Sequence, residues 1–188
     1  MRDEPWLQDP VDRLLSRCGR QLAVDIGANH GTWTALFLPL FSRVIAVEPD
    51  PRCAQIPGAD FYRCLVGPVS GLVTLWLSER PEQNHASPRH PLHGSSGRPE
   101  QFPQITLEEL CGKETPDMVK IDVEGAEDGI LAGVSDPARF ARTAFIIESH
   151  AREAELTAIL RSWGRPFEIV PHPDICPDHC WLAVPPLP

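Results

Sequence analysis

The clearest pattern of hydrophobic and polar positions lies near the start of the chain. The apolar, β-branched run Leu22–Ile26 ends at a turn marked by Gly27 and Gly31. After that turn, apolar residues recur at the spacing of an amphipathic helix, at Trp33, Leu36, Phe37 and Leu40. A second apolar run follows at 43–48. This order predicts a strand, a tight glycine turn, a helix and a second strand, which together form a βαβ unit.

Strands and helices continue to alternate along the rest of the chain. Extended runs predict further strands at 61–66, 72–77, 117–122, 144–148, 167–171 and 180–184. Amphipathic patterns predict helices at 11–18, 107–112 (with Thr106 as its N-cap), 125–132 and 151–163. Segments 49–60 and 79–104 are rich in proline and lack periodicity, so we expect loops there. The alternation predicts the α/β class, an open and mainly parallel sheet with helices on both faces.

Composition narrows the class of protein. The 188 residues are enough for one domain, expected to span 1–188. The net charge of −9 argues against a nucleic-acid partner, because a nucleic-acid surface needs clustered lysine and arginine. The first residues lack the apolar segment of a signal peptide, and no apolar run reaches the roughly 20 residues that span a bilayer. We therefore expect a cytoplasmic protein without a membrane partner, its six cysteines reduced.

The glycine turn predicts a site for a cofactor that carries a nucleoside. Such turns bring backbone N–H groups and a helix N-terminus to a ligand, and glycine allows the close approach. Glu48 ends the second strand about 20 residues past the turn, where a carboxylate can accept hydrogen bonds from a ribose. A dinucleotide fingerprint would place glycines where Asn29 and Thr32 stand, and a P-loop would need a lysine that is absent.

A second group of charged residues lies at the predicted strand 117–122. Lys120, Asp122, Glu124 and Glu127 are four ionisable residues within eight positions, flanked by apolar residues. Ligands of open α/β sheets bind at the carboxyl ends of the strands, where this group lies. Alternatively, the acids stabilise the N-terminus of the following helix.

Four segments together resemble the FkbM family of S-adenosylmethionine (SAM) methyltransferases. They are VDIGANHGTWT at 24–34, VEP at 47–49, VKIDVEGAE at 119–127 and IIESH at 146–150. The resemblance implies a Rossmann-like sheet of seven strands with the last strand antiparallel, and SAM as the methyl donor. It also implies a small-molecule acceptor whose hydroxyl group is methylated, such as a sugar or a natural product.

The resemblance also assigns cofactor-binding residues. Those expected around the methionine part of SAM are Asp25, Gly27, Ala28, Asn29 and Gly31. Glu48 is expected at the ribose, Pro49 beside the adenosine, Cys64 and Leu65 at the adenine, and Asp122 near the methionyl amine or the acceptor. The chain departs from the family in the short segment 49–60, which loosens the expected adenine pocket, and in the proline- and histidine-rich segment 79–104 on the acceptor side.

Candidate catalytic residues are those with a carboxylate or imidazole at the predicted ligand edge. They are Asp122, Glu124, Glu148 and His150. One of them can serve as the base that takes the proton of an alcohol acceptor. Alternatively, the acidic groups hold a divalent cation such as Mg²⁺, although no metal ligands are assigned. For Glu148 and His150, capping of the helix that follows is an equal alternative.

Two other functions remain open at the level of sequence. A nicotinamide-dependent oxidoreductase would share the topology, but the third glycine and a Tyr-x-x-x-Lys pair are missing. A catalytically silent SAM-binding scaffold is also compatible with the short segment 49–60. The tail contains His172, Cys176, His179 and Cys180, whose spacing matches no zinc pattern, so we expect a hairpin loop there.

Overall fold

The computed structural model describes residues 5–79, 84, 97–173 and 179–188. Ten strands are described: β1 Leu22–Ile26, β2 Arg43–Val47, β3 Asp60–Tyr62, β4 Leu65–Val66, β5 Gly71–Leu77, β6 Arg98–Ile105, β7 Met118–Ile121, β8 Ala144–His150, β9 Glu168–Pro171 and β10 His179–Val184. The described α-helices are α1 Gln8–Leu15, α2 Thr32–Phe37, α3 Leu107–Cys111, α4 Glu127–Ala132 and α5 Glu153–Ser162.

Seven strands form the central sheet, in the order β3-β2-β1-β7-β8-β10-β9. Neighbours from β3 to β8 pair in parallel, whereas β10 runs antiparallel to both β8 and β9. The predicted seven-stranded, mainly parallel sheet with an antiparallel last strand is therefore confirmed. The order reverses between β1 and β7, which brings the carboxyl ends of those strands to the point where open α/β sheets bind ligands.

The sheet is covered on both faces, as predicted. Residues of α1 and α2, including Val11 and Phe37, pack on one face. Residues of α3, α4 and α5, including Leu110 and Leu156, pack on the other. All five residues of β1 are buried, since successive side chains of a strand enter opposite apolar layers. The first turn of α3 has the predicted cap, because the Glu109 backbone N–H donates to the Thr106 hydroxyl over 3.1 Å.

A second sheet of three strands, β4-β6-β5, corrects two predictions. The predicted strand 61–66 is two strands, of which β3 joins the central sheet and β4 joins the small one. The predicted loop 79–104 is too long, because 98–105 forms β6 and pairs with all of β5. Pro99 and Pro103 lie four residues apart in β6, so their missing N–H groups fall on one side of the strand and leave the other side free to pair. Residues 80–83 and 85–96 of that predicted loop lie outside the described residues.

The predicted hairpin loop of the tail also lies largely outside the described residues, Cys176 included. Within the described part of the chain, no helix is long and apolar enough to cross a bilayer. Cys18, Cys53, Cys64, Cys111 and Cys180 are free thiols.

Candidate cofactor and acceptor site

The turn after β1 has the left-handed backbone that its sequence predicts. The φ angles of Gly27, Asn29 and Gly31 are 75°, 47° and 85°. Asparagine is one of the few residues with a side chain that tolerates this region. A β-carbon on Gly31 would lie 2.8 Å from the Cδ1 atom of Ile56, so a larger residue there would also have to displace the Ile56 side chain.

Glu48, immediately after β2, holds this turn to the next loop. Its Oε2 accepts the Asn29 backbone N–H over 2.9 Å, and its Oε1 accepts the Asp50 backbone N–H over 2.8 Å. Burial raises the pKa of the Glu48 carboxyl, an effect that the two N–H donors oppose. A carboxylate has about four acceptor positions. Glu48 can therefore accept further hydrogen bonds from a ligand.

A cleft of about 590 Å³, part of it open to solvent, lies at the carboxyl ends of β1, β2 and β7. The predicted site residues that line the cleft are Gly27, Asn29, Glu48, Pro49, Cys64, Leu65, Asp122 and Glu124. Apolar side chains of Val47, Val66 and Leu75 complete one wall. The predicted residues that do not line it are Asp25, Ala28, Gly31, Glu148 and His150.

Asp25 lies beneath the cleft rather than in its wall. Its carboxylate is fully buried, accepts the Thr34 hydroxyl over 2.6 Å and lies 3.2 Å from the ammonium group of Lys120. Lys120 also lies 3.2 Å from Asp122 and donates to the Gly27 carbonyl oxygen over 2.8 Å. Burial lowers the pKa of Lys120, but Asp122 and Asp25 outweigh it and raise the pKa. The charged lysine therefore ties the glycine turn to the end of β7.

Asp122, Glu148 and His150 meet beside the cleft, at the adjacent ends of β7 and β8. One oxygen or nitrogen atom from each of the three lies within 4.8 Å of the others. Glu124 adds a fourth group, since its Oε2 lies 3.6 Å from His150 Nε2. The structure thus brings together all four predicted catalytic residues. Two carboxylates and an imidazole are also donors that suit a divalent cation.

The His150 imidazole is almost fully buried and lies among carboxylates. Its Nδ1 lies 2.7 Å from Glu127 Oε1, and its Nε2 lies 3.9 Å from Glu148 Oε1. Burial lowers the pKa of His150, but the hydrogen bond and charge of Glu127, with Glu124 and Glu148, raise it to about 10. An imidazole that is already protonated at neutral pH cannot take a proton. This geometry favours Asp122 or Glu148 over His150 as a base.

Sequence reasoning missed a polar network on the other side of the cleft. The buried Asp50 carboxylate accepts from Arg52 and from the Asn84 side chain, each over 2.6 Å. Asn84 in turn accepts the Ser78 backbone N–H over 2.9 Å and lines the cleft. Burial raises the pKa of Asp50, but the hydrogen bonds from Arg52 and Asn84 outweigh it and lower the pKa. The position of Asp50, two residues after Glu48, could have indicated a role at the site. Asn84 lies too far along the chain for any local pattern to indicate it.

The family assignment follows from comparison with known proteins. A family model described as the methyltransferase FkbM domain matches residues 25–167. The chain belongs to the FkbM methyltransferase family. The match includes the glycine turn, Glu48 and the acidic cluster, and so confirms the family predicted from the sequence. A comparison with curated protein sequences gives no match.

Solved structures show that this FkbM-family chain has the fold of methyltransferases. The methyltransferase FkbM of Methylobacillus flagellatus KT aligns over 87% of this chain with a TM-score of 0.59 and 17% identity, and the chain spans only 43% of that protein. A Clostridium thermocellum protein assigned as an rRNA methylase has a TM-score of 0.56 at 7% identity, covering 97% and 96% of the two chains. A Streptococcus mutans protein solved with S-adenosylhomocysteine (SAH) has a TM-score of 0.54 at 10% identity, covering 95% and 96%.

Proposed function

We propose that the chain, acting as a single domain over residues 1–188, transfers the methyl group of SAM to a hydroxyl group of a small molecule. The observation that carries the proposal is the position of the acidic cluster. Asp122 both lines the cleft and belongs to the Asp122–Glu148–His150 cluster, so a ligand in the cleft would lie next to groups suited to activate an acceptor.

The cleft offers a distinct contact to each part of SAM. The left-handed turn at Gly27 and Asn29 would face the methionine part, and the remaining acceptor positions of Glu48 would take the ribose hydroxyls. The adenine would lie against Pro49, Cys64 and Leu65. Although segment 49–60 is short, Asp50 and its partners hold it against the cleft. We therefore expect SAM to bind despite the short segment.

Methyl transfer from a sulfonium is an in-line displacement, in which catalysis depends mainly on the positions of nucleophile, methyl carbon and sulfur. An alcohol must also lose its proton near the transition state. Asp122 or Glu148 would accept that proton, and the imidazolium of His150 would hold the carboxylates in place. In the alternative route, a divalent cation held by Asp122, Glu148 and a deprotonated His150 imidazole would acidify the hydroxyl, and the proton of His150 would leave as the cation binds.

Two alternatives can be separated from this proposal by ligand binding and a methyl-transfer assay. Isothermal titration of the protein with SAM, SAH and NAD⁺ tests the oxidoreductase, and the transfer assay tests the silent scaffold. The proposed function requires SAM and SAH to bind and NAD⁺ not to bind. Binding of NAD⁺ alone would favour an oxidoreductase and overturn the proposal. Binding of SAM without methyl transfer to any hydroxylated acceptor, or to RNA, would favour the silent scaffold.

The two routes of acceptor activation differ in their response to chelation. If Asp122 or Glu148 acts as the base, EDTA should leave methyl transfer unchanged. If a cation acts, EDTA should abolish methyl transfer and Mg²⁺ or Mn²⁺ should restore it. Asp122→Asn and Glu148→Gln should both keep most SAH affinity. In the base route the variant of the residue that acts as the base should lose methyl transfer, and in the cation route both variants should. Full activity of both variants would remove these residues from the proposed mechanism.

A further inference from the structure

One carboxylate oxygen that does not line the cleft contacts both halves of the site. Glu127 is the first residue of α4 and is fully buried. Its Oε1 accepts the backbone N–H groups of Val123 over 3.3 Å and of Gly125 over 3.0 Å. The same oxygen lies 2.7 Å from Nδ1 of His150. Three donors from two different strand ends therefore converge on one atom.

Glu127 contacts the turn after β7 and the end of β8, which lie at different parts of the proposed site. Val123 and Glu124 belong to the turn after β7 and line the cofactor cleft. The turn is strained, because Glu124 has a φ of 58°, which is uncommon for a residue with a side chain. His150 ends β8, and its Nε2 faces Glu124 and Glu148 at 3.6 and 3.9 Å. The contacts to Glu127 fix both the strained turn and the direction of the imidazole ring.

We propose that Glu127 is a positioning residue that holds the cofactor side and the acceptor side of the site in register. This inference rests on the proposed function, since it assigns the two sides to cofactor and acceptor. Glu127 acts through the Val123–Gly125 backbone and through His150, and it does not touch the ligands of the cleft. The direction of the His150 ring then sets the positions of Glu124 and Glu148.

The second oxygen of Glu127 makes no hydrogen bond of its own. Among the described residues, Oε2 is buried without a hydrogen-bond partner. The contacts of the carboxylate therefore run through Oε1, to the Val123–Gly125 turn and to His150 Nδ1. A glutamine would keep an accepting oxygen and remove the charge, so it separates these two contributions.

The test uses the full chain with SAH as the ligand and ring resonances of ¹⁵N-labelled histidine as the reporter of His150. The variants are Glu127→Ala, which removes all three contacts, and Glu127→Gln, which keeps the accepting oxygen. The matched control is Glu109→Ala, because Glu109 also accepts a backbone N–H in the first turn of a helix but is exposed and does not line the cleft. Thermal unfolding shows that each variant is folded at the temperature of measurement.

In wild type and in Glu109→Ala, addition of SAH should shift the His150 resonances. In Glu127→Ala, SAH affinity should fall about tenfold, consistent with the loss of two or more hydrogen bonds to the turn, and the response of His150 to SAH should disappear. Glu127→Gln should keep SAH affinity within about threefold, since its oxygen still accepts. Its His150 Nδ1 resonance should move even without SAH, because the charged partner is gone.

Wild-type affinity and a wild-type His150 response in Glu127→Ala would overturn the inference. If Glu127→Ala does not fold, the Nδ1 resonance of Glu127→Gln decides, and an unchanged resonance would overturn it. A wild-type protein that bound no SAH would instead contradict the proposed function, and the His150 resonances without SAH would then test the Glu127–His150 link separately.

Discussion

The backbone carbonyl oxygen of Asp122 lies only 1.7 Å from the position that a β-carbon on Gly27 would occupy. The turn after β1 and the end of β7 therefore pack backbone against backbone. The need for glycine here has two causes, since the φ of Gly27 is also left-handed at 75°. Both causes exist without any ligand, so Gly27 is required by the fold of the site as well as by cofactor approach.

Gly27→Ala should abolish SAH binding and destabilise the protein, because the new methyl group must displace the Asp122 backbone and open the cleft. The matched control is Gly164→Ala, since Gly164 has a similar φ of 68° but nothing within 4 Å of the position that a β-carbon would occupy. That control should cost only the strain of left-handed alanine, about 1–2 kcal/mol, and keep SAH affinity. Urea denaturation and titration with SAH measure both effects, and equal losses in the two variants would contradict the steric argument.

Lys120→Met should lower the free energy of unfolding by about 3–5 kcal/mol, the usual effect of removing one partner of a buried ion pair. The lysine is 2% exposed and Asp25 is fully buried, so the aspartate would be left as an uncompensated buried charge. Urea denaturation at pH 7 measures the loss.

The chain has only one other lysine, Lys113, and it is exposed. Lys113→Met is therefore the control, and it should change stability by less than about 0.5 kcal/mol. Amine-reactive acetylation gives a second measurement, since Lys113 should react in the folded protein and Lys120 should react only after unfolding. Rapid acetylation of Lys120 in the folded protein would contradict its burial.

The central sheet could be predicted because its strands have a local signature. Strands β1, β7 and β8 consist mainly of buried apolar residues, and the polar residues in each are few enough to leave the apolar run recognisable. The small sheet was harder to predict, since β6 contains two prolines and is stabilised by pairing with β5 rather than by its own pattern. A strand that depends on a partner far along the chain has no local signal.

The same distinction applies to the site. The resemblance implied Asp122 and Glu48 as site residues, and both line the cleft. The contact of His150 with Glu127 could not be predicted, because it depends on how β8 lies beside α4. Asp25 differs from Asp122 and Glu48, since the resemblance implied a ligand contact whereas the contacts of its carboxylate in the structure are to Lys120 and Thr34.

Glu48→Gln should weaken SAH binding about tenfold, the equivalent of one lost hydrogen bond. Both carboxylate oxygens accept backbone N–H groups, from Asn29 and Asp50. A glutamine presents one NH₂ group to one of these donors, so that donor loses its acceptor and the turn shifts. Isothermal titration with SAH measures the change, with Glu109→Gln as the control. Wild-type affinity in Glu48→Gln would show that neither the turn nor the ribose depends on the carboxylate.

The raised pKa of His150 predicts a dependence of stability on pH. The group titrates at 6.5 in its unperturbed state and at about 10 in the folded protein, so the folded state binds the proton more tightly. Its contribution to the free energy of unfolding is therefore complete below about pH 6.5 and is lost as the pH rises towards about 10. In buffer containing EDTA, wild type should lose stability between pH 7 and pH 9.

Comparison with His150→Gln isolates this effect. Burial raises the pKa of the Cys53 and Cys111 thiols to about 12 in the folded protein, from an unperturbed value of 9.0. Above about pH 9.0 these thiols therefore ionise in the unfolded state first, which lowers the stability of wild type and variant alike. The difference between the two proteins removes that common contribution. Wild type should exceed the variant in stability most at pH 6–7, and the difference should shrink steadily at higher pH. Parallel stability curves from pH 6 to pH 9 would show that His150 is not held as an imidazolium by Glu127 and its neighbours.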